Sequence, residues 1–504
     1  MKHSPLILAL LLSSVIVSPP SFAAGQRPNV LFIAIDDLRP EIGAYGVNRA
    51  ITPNIDKLAA KSVRFDRAYA TYPICLPSRA SMLTGRRIDY SGLGKQRDFS
   101  MLIGLQRTWP AVFRKAGYWT ATSGKVYHGG SLPQNDLAAW DVPGEHWRNG
   151  FKDWSPELMK QVVAETGPKD VVEGFRKKGG GGGSLLSMAV DGDDDVLSDG
   201  QTASIVIGYL RDRPKDKPFV ICAGFNRPHM PWIAPKKYFD LYKDAKIELP
   251  KLPEGAKREV FKEDVGSSVS KDSAKWNGGV TDDEARELIK GYLASVSYSD
   301  AQVGRILTAL QQSGQADNTI VILWGDHGYH LTEHGLWRKN TIYHVANRIP
   351  LLIHVPGKAT GVSRRLVESI DLYPTLLALT GTPADGLRLD GRSLVPLLEK
   401  PDAEWPHPAF IHANKDHGMV TDRYRYSISD NGTEKLFDLR TDPDEWRNLA
   451  ADPAQAARVK QMRSAVEQAW KGDVVTEAPP AAPKKPAAPK KGDRHEGPMA
   501  RPAP

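Results

Sequence analysis

Asp36 and Asp37 stand side by side directly after the apolar run 29–35. Adjacent carboxylates at a strand end repel unless something positive neutralises them, and a divalent hard cation does so with oxygen ligands. Paired acids are also common in ordinary turns and helix caps, so both readings stand on these two residues alone. Asp326-His327 follows another apolar run, 319–324, in the same way. His229 lies in Arg227-Pro228-His229-Met230-Pro231, where two prolines stiffen the loop. A rigid loop is a good mount for a catalytic imidazole, although a lone histidine is usually structural or solvated. Lys125 and His128 are three apart and face the same way on a helix or turn, which puts an anion-holding cation beside a base. Alone, such a pair is more often surface decoration. Cys75 opens the run Cys75-Leu76-Pro77-Ser78-Arg79-Ala80-Ser81-Met82-Leu83-Thr84-Gly85, and a cysteine there is either a buried small hydrophobe or a reactive group.

The elements that must carry these groups alternate. The runs 29–35, 219–223, 319–324 and 350–355 are continuous apolar stretches of the kind buried on both faces of a sheet. Between them, 53–62, 109–116, 199–211 and 284–312 have helical spacing. This alternation predicts an α/β domain with a largely parallel sheet. Ligands of such sheets collect beyond the carboxyl ends of the strands. The residues leaving three of those strands are Asp36-Asp37, then Asn226 to His229, then Asp326-His327, so one crevice should receive all of them.

The string from Cys75 to Gly85, C-x-P-S-R-x-x-x-L-T-G, resembles the signature of type I sulfatases. That resemblance implies that Cys75 is oxidised to formylglycine, one of whose hydrated-aldehyde hydroxyls attacks the sulfur of a sulfate ester. It also implies a bound calcium, with magnesium the alternative, held by Asp36, Asp37, the modified Cys75, Asp326 and His327. His327 stands where many of these sulfatases have Asn. Imidazole is an uncommon partner for a hard cation, so a hydrogen bond to sulfate or diol is the alternative role. Ser123-Gly124-Lys125-Val126-Tyr127-His128 is similar to the family's G-K-x-x-H element, and Lys339 matches a further sulfate-binding lysine. The implied mechanism uses Arg79, Lys125 and Lys339 to neutralise the sulfate oxygens. His229, with Lys339 as a second donor, protonates the leaving oxygen, and His128 deprotonates the second hydroxyl so that the sulfated intermediate collapses. His334 and Arg338 lie near Lys339 with open roles.

The similarity is closest to the iduronate-2-sulfatase branch and extends through 35–40, 52–58, 84–87, 294–305, 326–328, 333–335, 355–357, 371–375 and 436–443. It implies an alkaline-phosphatase-like α/β sandwich, a small C-terminal subdomain with an antiparallel sheet, and a sulfated glycan as substrate, with 2-O-sulfated uronic acid as the implied sugar. A formylglycine-generating or sulfatase-maturating enzyme is the implied partner. Phosphonate or phosphate ester hydrolysis, as in relatives of the same superfamily, is the enzymatic alternative. A non-catalytic glycan-binding homologue is the alternative from another class.

Residues 1–23 read as a secretory signal: Lys2 and His3, an apolar stretch from Leu6 to Val17, and Ser21-Phe22-Ala23 as a cleavage site. The stretch is too short to span a bilayer, so an exported protein, periplasmic or extracellular, is expected, with an uncleaved anchor as the alternative. Domain boundaries follow at 24–398 for the catalytic domain, 399–475 for the C-terminal subdomain, and 476–504 for a disordered Ala/Pro/Lys tail. Net charge is +8 over 504 residues, of which Lys2 and the tail supply about half. The remainder is a modest excess with no nucleic-acid stripe and no zinc-finger or RNA-binding motif. Cys75 and Cys222 are the two cysteines, and they pair only if Cys75 stays a thiol. Five glycines at 179–183 mark a flexible loop. The acidic run 191–195 has the spacing of a calcium loop, but Thr202 stands at position 12, so it reads as solvated surface.

Overall fold

The computed structural model describes residues 27–88, 102–103, 107–128, 133–144, 187–251, 253 and 281–470. The expected signal, glycine loop and C-terminal tail lie outside them. The strand Asn29–Ile35 is buried along its whole length and pairs in parallel with Phe219–Phe225 on one side and Thr319–Gly325 on the other. Trp119–Gly124 continues the sheet beyond Phe219–Phe225, also in parallel. On the other flank Leu351–His354 runs antiparallel between Thr319–Gly325 and Val63–Tyr69, and Gly361–Glu368 closes that edge in parallel with Val63–Tyr69. The sheet is therefore mostly parallel. The expected strand at 350–355 runs antiparallel in it, as does the short strand Arg348–Ile349 just before.

Successive side chains of a strand point to opposite faces, so one apolar run feeds two cores. Leu31, Ile33 and Ile35 pack with Val206 and Leu210 of the helix Ser198–Asp212 and with Ile289 and Ile306 of the helix Asp282–Gln312. Val30, Phe32 and Ala34 face the other way, toward Met82 of the helix Cys75–Thr84 and Phe113 of the helix Trp109–Lys115. Covering both faces with helices is what lets a strand this apolar stay out of water. The helix Asp282–Gln312 begins two residues earlier than its apolar spacing predicts because Thr281 and Glu284 form a capping box.

Four antiparallel strands, Ala409–Ala413, Asp416–Val420, Tyr424–Ser429 and Glu434–Asp438, form the C-terminal sheet. The helix Ala456–Trp470 covers one face through Val459, Met462 and Val466, while Ile411, Ala413 and Val420 pack with Tyr69, Ile342 and Leu366 of the main body.

The reading of the whole acidic run as solvated surface needs correction. Asp191 and Asp193 are exposed, but Asp194 accepts from Tyr238 Oη at 2.9 Å and Gln302 Nε2 at 3.0 Å and pairs with Lys237. Asp195 pairs with Arg305 at 2.7 Å. The partners come from helices far away in sequence, so spacing within the run could not show them. Cys75 and Cys222 are both buried and unpaired. No helix among the described residues is long and apolar enough to cross a membrane.

Candidate active site

Three strand ends meet where the alternation of elements placed them. The Asp36 N–H donates to Phe225 O at 3.2 Å, the Asp326 N–H donates to Ile35 O at 3.4 Å, and the Asp37 N–H donates to the Asp326 carboxylate at 3.1 Å. Asp37 adopts φ +60, a left-handed conformation that Asp tolerates better than most residues, and the kink ends the strand. Tyr292 from the long helix fixes it by donating to Asp37 O at 2.9 Å.

Cys75 is the first residue of its ten-residue helix, so the signature string is a helix whose N-terminus faces the acids. Cys75 Sγ lies 3.1 Å from Asp36 Oδ1, 3.2 Å from His327 Nε2 and 3.3 Å from Lys339 Nζ. Burial and the Asp36 charge push its thiol pKa up, but Lys339, Lys125 and His327 together pull it below the usual value. Ser78, one turn on, donates to Asp326 O at 2.5 Å. Arg79 is fully buried, with Nε and Nη2 each 3.0 Å from Asp326 Oδ2 and Nη2 3.5 Å from Asp36 Oδ1. It also donates to the carbonyls of Lys125 and Val126. The one guanidinium thus ties the signature helix to two strand ends.

Lys125 leaves the strand Trp119–Gly124 and salt-bridges Asp36, with Asn226 Oδ1 3.4 Å away. The backbone can turn there because Gly124 takes φ +71 and Gly224 has no Cβ, which would stand 2.1 Å from the Lys125 carbonyl carbon. His128 is held neutral, its pKa pushed down to about 3 by burial and then by Lys125. Its Nδ1 is buried with no hydrogen-bond partner among the described residues. His229 is likewise pushed to about 3 by burial, Lys125 and Lys339. Its Nδ1 lies 2.6 Å from Met230 O, so that nitrogen carries the proton and Nε2 presents a lone pair. A neutral His229 is not yet the proton donor expected of it.

Lys339 salt-bridges Asp37, so each of the paired acids has its own lysine. Burial alone would raise Asp36, but Lys125, His229, Lys339 and Arg79 together hold it well below the usual carboxylate range. Burial and the neighbouring Asp36 charge push Asp326 the other way.

The fit to a divalent cation can be tested on these atoms. Ligand atoms of Asp36, Asp37, Cys75 and His327 all lie within 4.8 Å of one another. A cation with bonds of about 2.4 Å keeps opposite ligands no more than about 4.8 Å apart, so the set has the right span. Carboxylate oxygens are the donors a hard ion takes. His327 Nε2 also lies 3.5 Å from Asp326 Oδ2, which puts the third carboxylate against the same space even though Arg79 holds it. The residues present therefore fit such an ion.

All ten sequence candidates are drawn to this crevice, whereas the His334 ring is stacked against Tyr343 and Trp446. Sequence reasoning missed Asp199. This buried acid, in the first turn of the helix Ser198–Asp212, accepts from the N–H groups of Asn226 and Arg227 at 2.8 and 2.7 Å and so aims the His229 loop. An acid beginning an amphipathic helix reads as an N-terminal charge, and nothing in its spacing points across the sheet to residue 226.

Comparison with known proteins gives the family. Residues 28–382 match the sulfatase family, and residues 332–471 match the C-terminal part of N-sulphoglucosamine sulphohydrolase. The chain is 31% identical to a sulfatase of Formosa agariphila, covering 87% of this chain and 86% of that protein. It is 32% identical to iduronate 2-sulfatase of Mus musculus, covering 75% of this chain and 74% of that one. Among solved structures, the phosphonate monoester hydrolase of Agrobacterium radiobacter has a TM-score of 0.67 at 23% identity, over 88% of this chain and 95% of that one, a likeness of fold alone. With the family match spanning most of the chain and the mouse enzyme among its relatives, this protein belongs to the sulfatase family, near iduronate 2-sulfatase, and is a sulfuric ester hydrolase.

Proposed function

We propose that this hydrolase removes sulfate from a sulfated glycan, with a 2-O-sulfated uronic acid or related sugar as substrate, after export to the periplasm or beyond the cell. The reading rests on the placing of Cys75 Sγ within 3.3 Å of Lys339, His327 and Asp36 in a fully formed, buried cluster. In this proposal Cys75 is converted to formylglycine, and calcium is held by Asp36, Asp37, the modified Cys75, Asp326 and His327. When present, the two groups supply an attacking diol oxygen and polarisation of the sulfate.

The chain's own residues do the rest. A sulfate ester resists attack because its oxygens repel an incoming oxygen, and Lys125, Lys339 and Arg79 surround the site with fixed positive charge. The lysines bind the sulfate oxygens, while Arg79 holds the acids in place. His229 presents Nε2 to the leaving oxygen. Burial and the two lysines hold the ring neutral, and the ester's negative charge offsets the lysines' share, so substrate binding shifts the imidazole toward its protonated form. His128, neutral and with Nδ1 unengaged, is the base for the second half-reaction.

The test is the mass of the tryptic peptide 68–79 from protein made with its maturating enzyme, together with sulfate release from 2-O-sulfated disaccharides. An aldehyde mass with sulfate release is expected. An unmodified thiol in active protein, or preference for a phosphonate ester, would overturn the reading. Recovery of the mature protein only from the cytoplasm would overturn the export proposal.

A further inference from the structure

Lys339 lies in an unusual stretch of backbone. Thr332, His334, Arg338 and Asn340 all take φ between +54 and +84, and the two residues flanking Lys339 are both among them. Left-handed conformations are unfavourable for side chains with a Cβ and persist where surrounding structure over-determines them. The loop is therefore held from outside.

The short strands His330–Leu331 and Trp337–Arg338 pair within it, and further anchors reach it from outside. Arg39, three residues past Asp36, pairs with Glu333 at 2.9 Å. The His334 ring is stacked between Tyr343 and Trp446, each centroid 4.2 Å away, and its Nε2 lies 2.7 Å from Asp444 O. At the far end Asn340 donates its N–H to Pro73 O at 3.0 Å and accepts at its own carbonyl from Asn414 Nδ2 at 2.8 Å. Trp446, Asp444 and Asn414 all belong to the C-terminal part of the chain.

Asn414 has a second grip. It sits in the turn between the strands Ala409–Ala413 and Asp416–Val420 with φ +56, and its N–H donates to Tyr72 Oη at 2.8 Å. Two residues earlier, the His412 N–H donates to Thr71 O at 2.9 Å, and its ring meets Tyr72 edge to face at 5.0 Å. One hairpin turn thus fixes both the chain leading into Cys75 and the residue following Lys339.

We propose that Asn414 is a positioning residue, holding Lys339 against Cys75 and Asp37 from the C-terminal sheet. This rests on the reading of Lys339 as a sulfate-facing group. Asparagine suits the left-handed turn by itself, since two-residue hairpins favour Asn there. The hydrogen bond from its side chain to the Asn340 carbonyl is the feature a turn does not require.

Asn414→Gly separates the two roles, because glycine keeps the turn and deletes only the amide. Kinetics of sulfate release should show kcat lower by about 10- to 100-fold at nearly unchanged melting temperature, the scale of a misplacement near 1 Å. Combined with Lys339→Ala, it should add no further loss, because both act through one side chain. Hydrogen exchange followed by mass spectrometry should quicken in 332–340 and not throughout the protein. Multiplicative losses in the double variant, or exchange in 332–340 that is unchanged or quickened only together with the whole molecule, would overturn the proposal. Absence of sulfate release by the wild-type protein would instead strike the functional reading, and the exchange result would still decide whether Asn414 holds the loop.

Discussion

Arg79 shows why a residue in the signature string is not replaceable by charge alone. Its planar fork meets Asp326, leans on Asp36 and still reaches two backbone carbonyls, a set of directions an ammonium group does not offer. Arg79→Met would leave Asp326 buried without its counter-ion, a loss on the order of 3–5 kcal/mol, to be read as a lower urea midpoint. Arg79→Lys should recover part of that stability but little turnover. Equal recovery of both would show that charge alone is what the position supplies. The type of this residue was legible in the sequence, as were Cys75, the paired acids and Lys125. Asp199 and Asn414 were not, because each acts through a main-chain group more than 25 residues away in sequence, and main-chain groups leave no signature.

At the scale of elements, the apolar runs named the central strands, and the polar residues just after them named the crevice. The strands Val63–Tyr69 and Gly361–Glu368 escaped that reading because they lie toward the sheet edge and alternate with polar residues instead of running apolar throughout. The helix Pro53–Ala59 is held to the long helix by Asp300, which accepts from the N–H groups of Asn54 and Ile55 at 3.1 and 2.7 Å. Burial raises the Asp300 pKa from 3.8 to about 6 in spite of those bonds. Its folded pKa lies above the unfolded one, so its contribution to stability is fully present below pH 3.8 and is lost as pH rises through 6. Asp300→Asn removes that titration. The stability of wild type relative to the variant should therefore fall by about 2–3 kcal/mol between about pH 4 and about pH 7, measured by urea denaturation. A difference that is flat or grows over that window would contradict the assignment.

Across the whole molecule, the acids and lysines of the crevice are fixed by contacts from every layer. These are the sheet ends, the signature helix on one face, Tyr292 of the long helix on the other, and the C-terminal hairpin beside them. A centre assembled from so many elements couples occupancy to folding, so calcium binding should raise the melting temperature. At a hundredfold excess over its dissociation constant the gain is about 2.7 kcal/mol. Asp37→Asn should lose most of that shift, and an equal shift in the variant would place the ion elsewhere. The sequence by itself determined the chemistry available, the α/β alternation and the strand ends where that chemistry would gather, because residue type and local periodicity are properties of the chain. Only the tertiary structure decided that Lys125 takes Asp36 while Lys339 takes Asp37, that the acidic run 193–195 is partly tied down, and that a C-terminal hairpin steadies Lys339. Those outcomes depend on hydrogen bonds and ion pairs between elements far apart in sequence, from 74 residues for Asn414 and Asn340 to 302 for Lys339 and Asp37, whose directions are set when the layers pack.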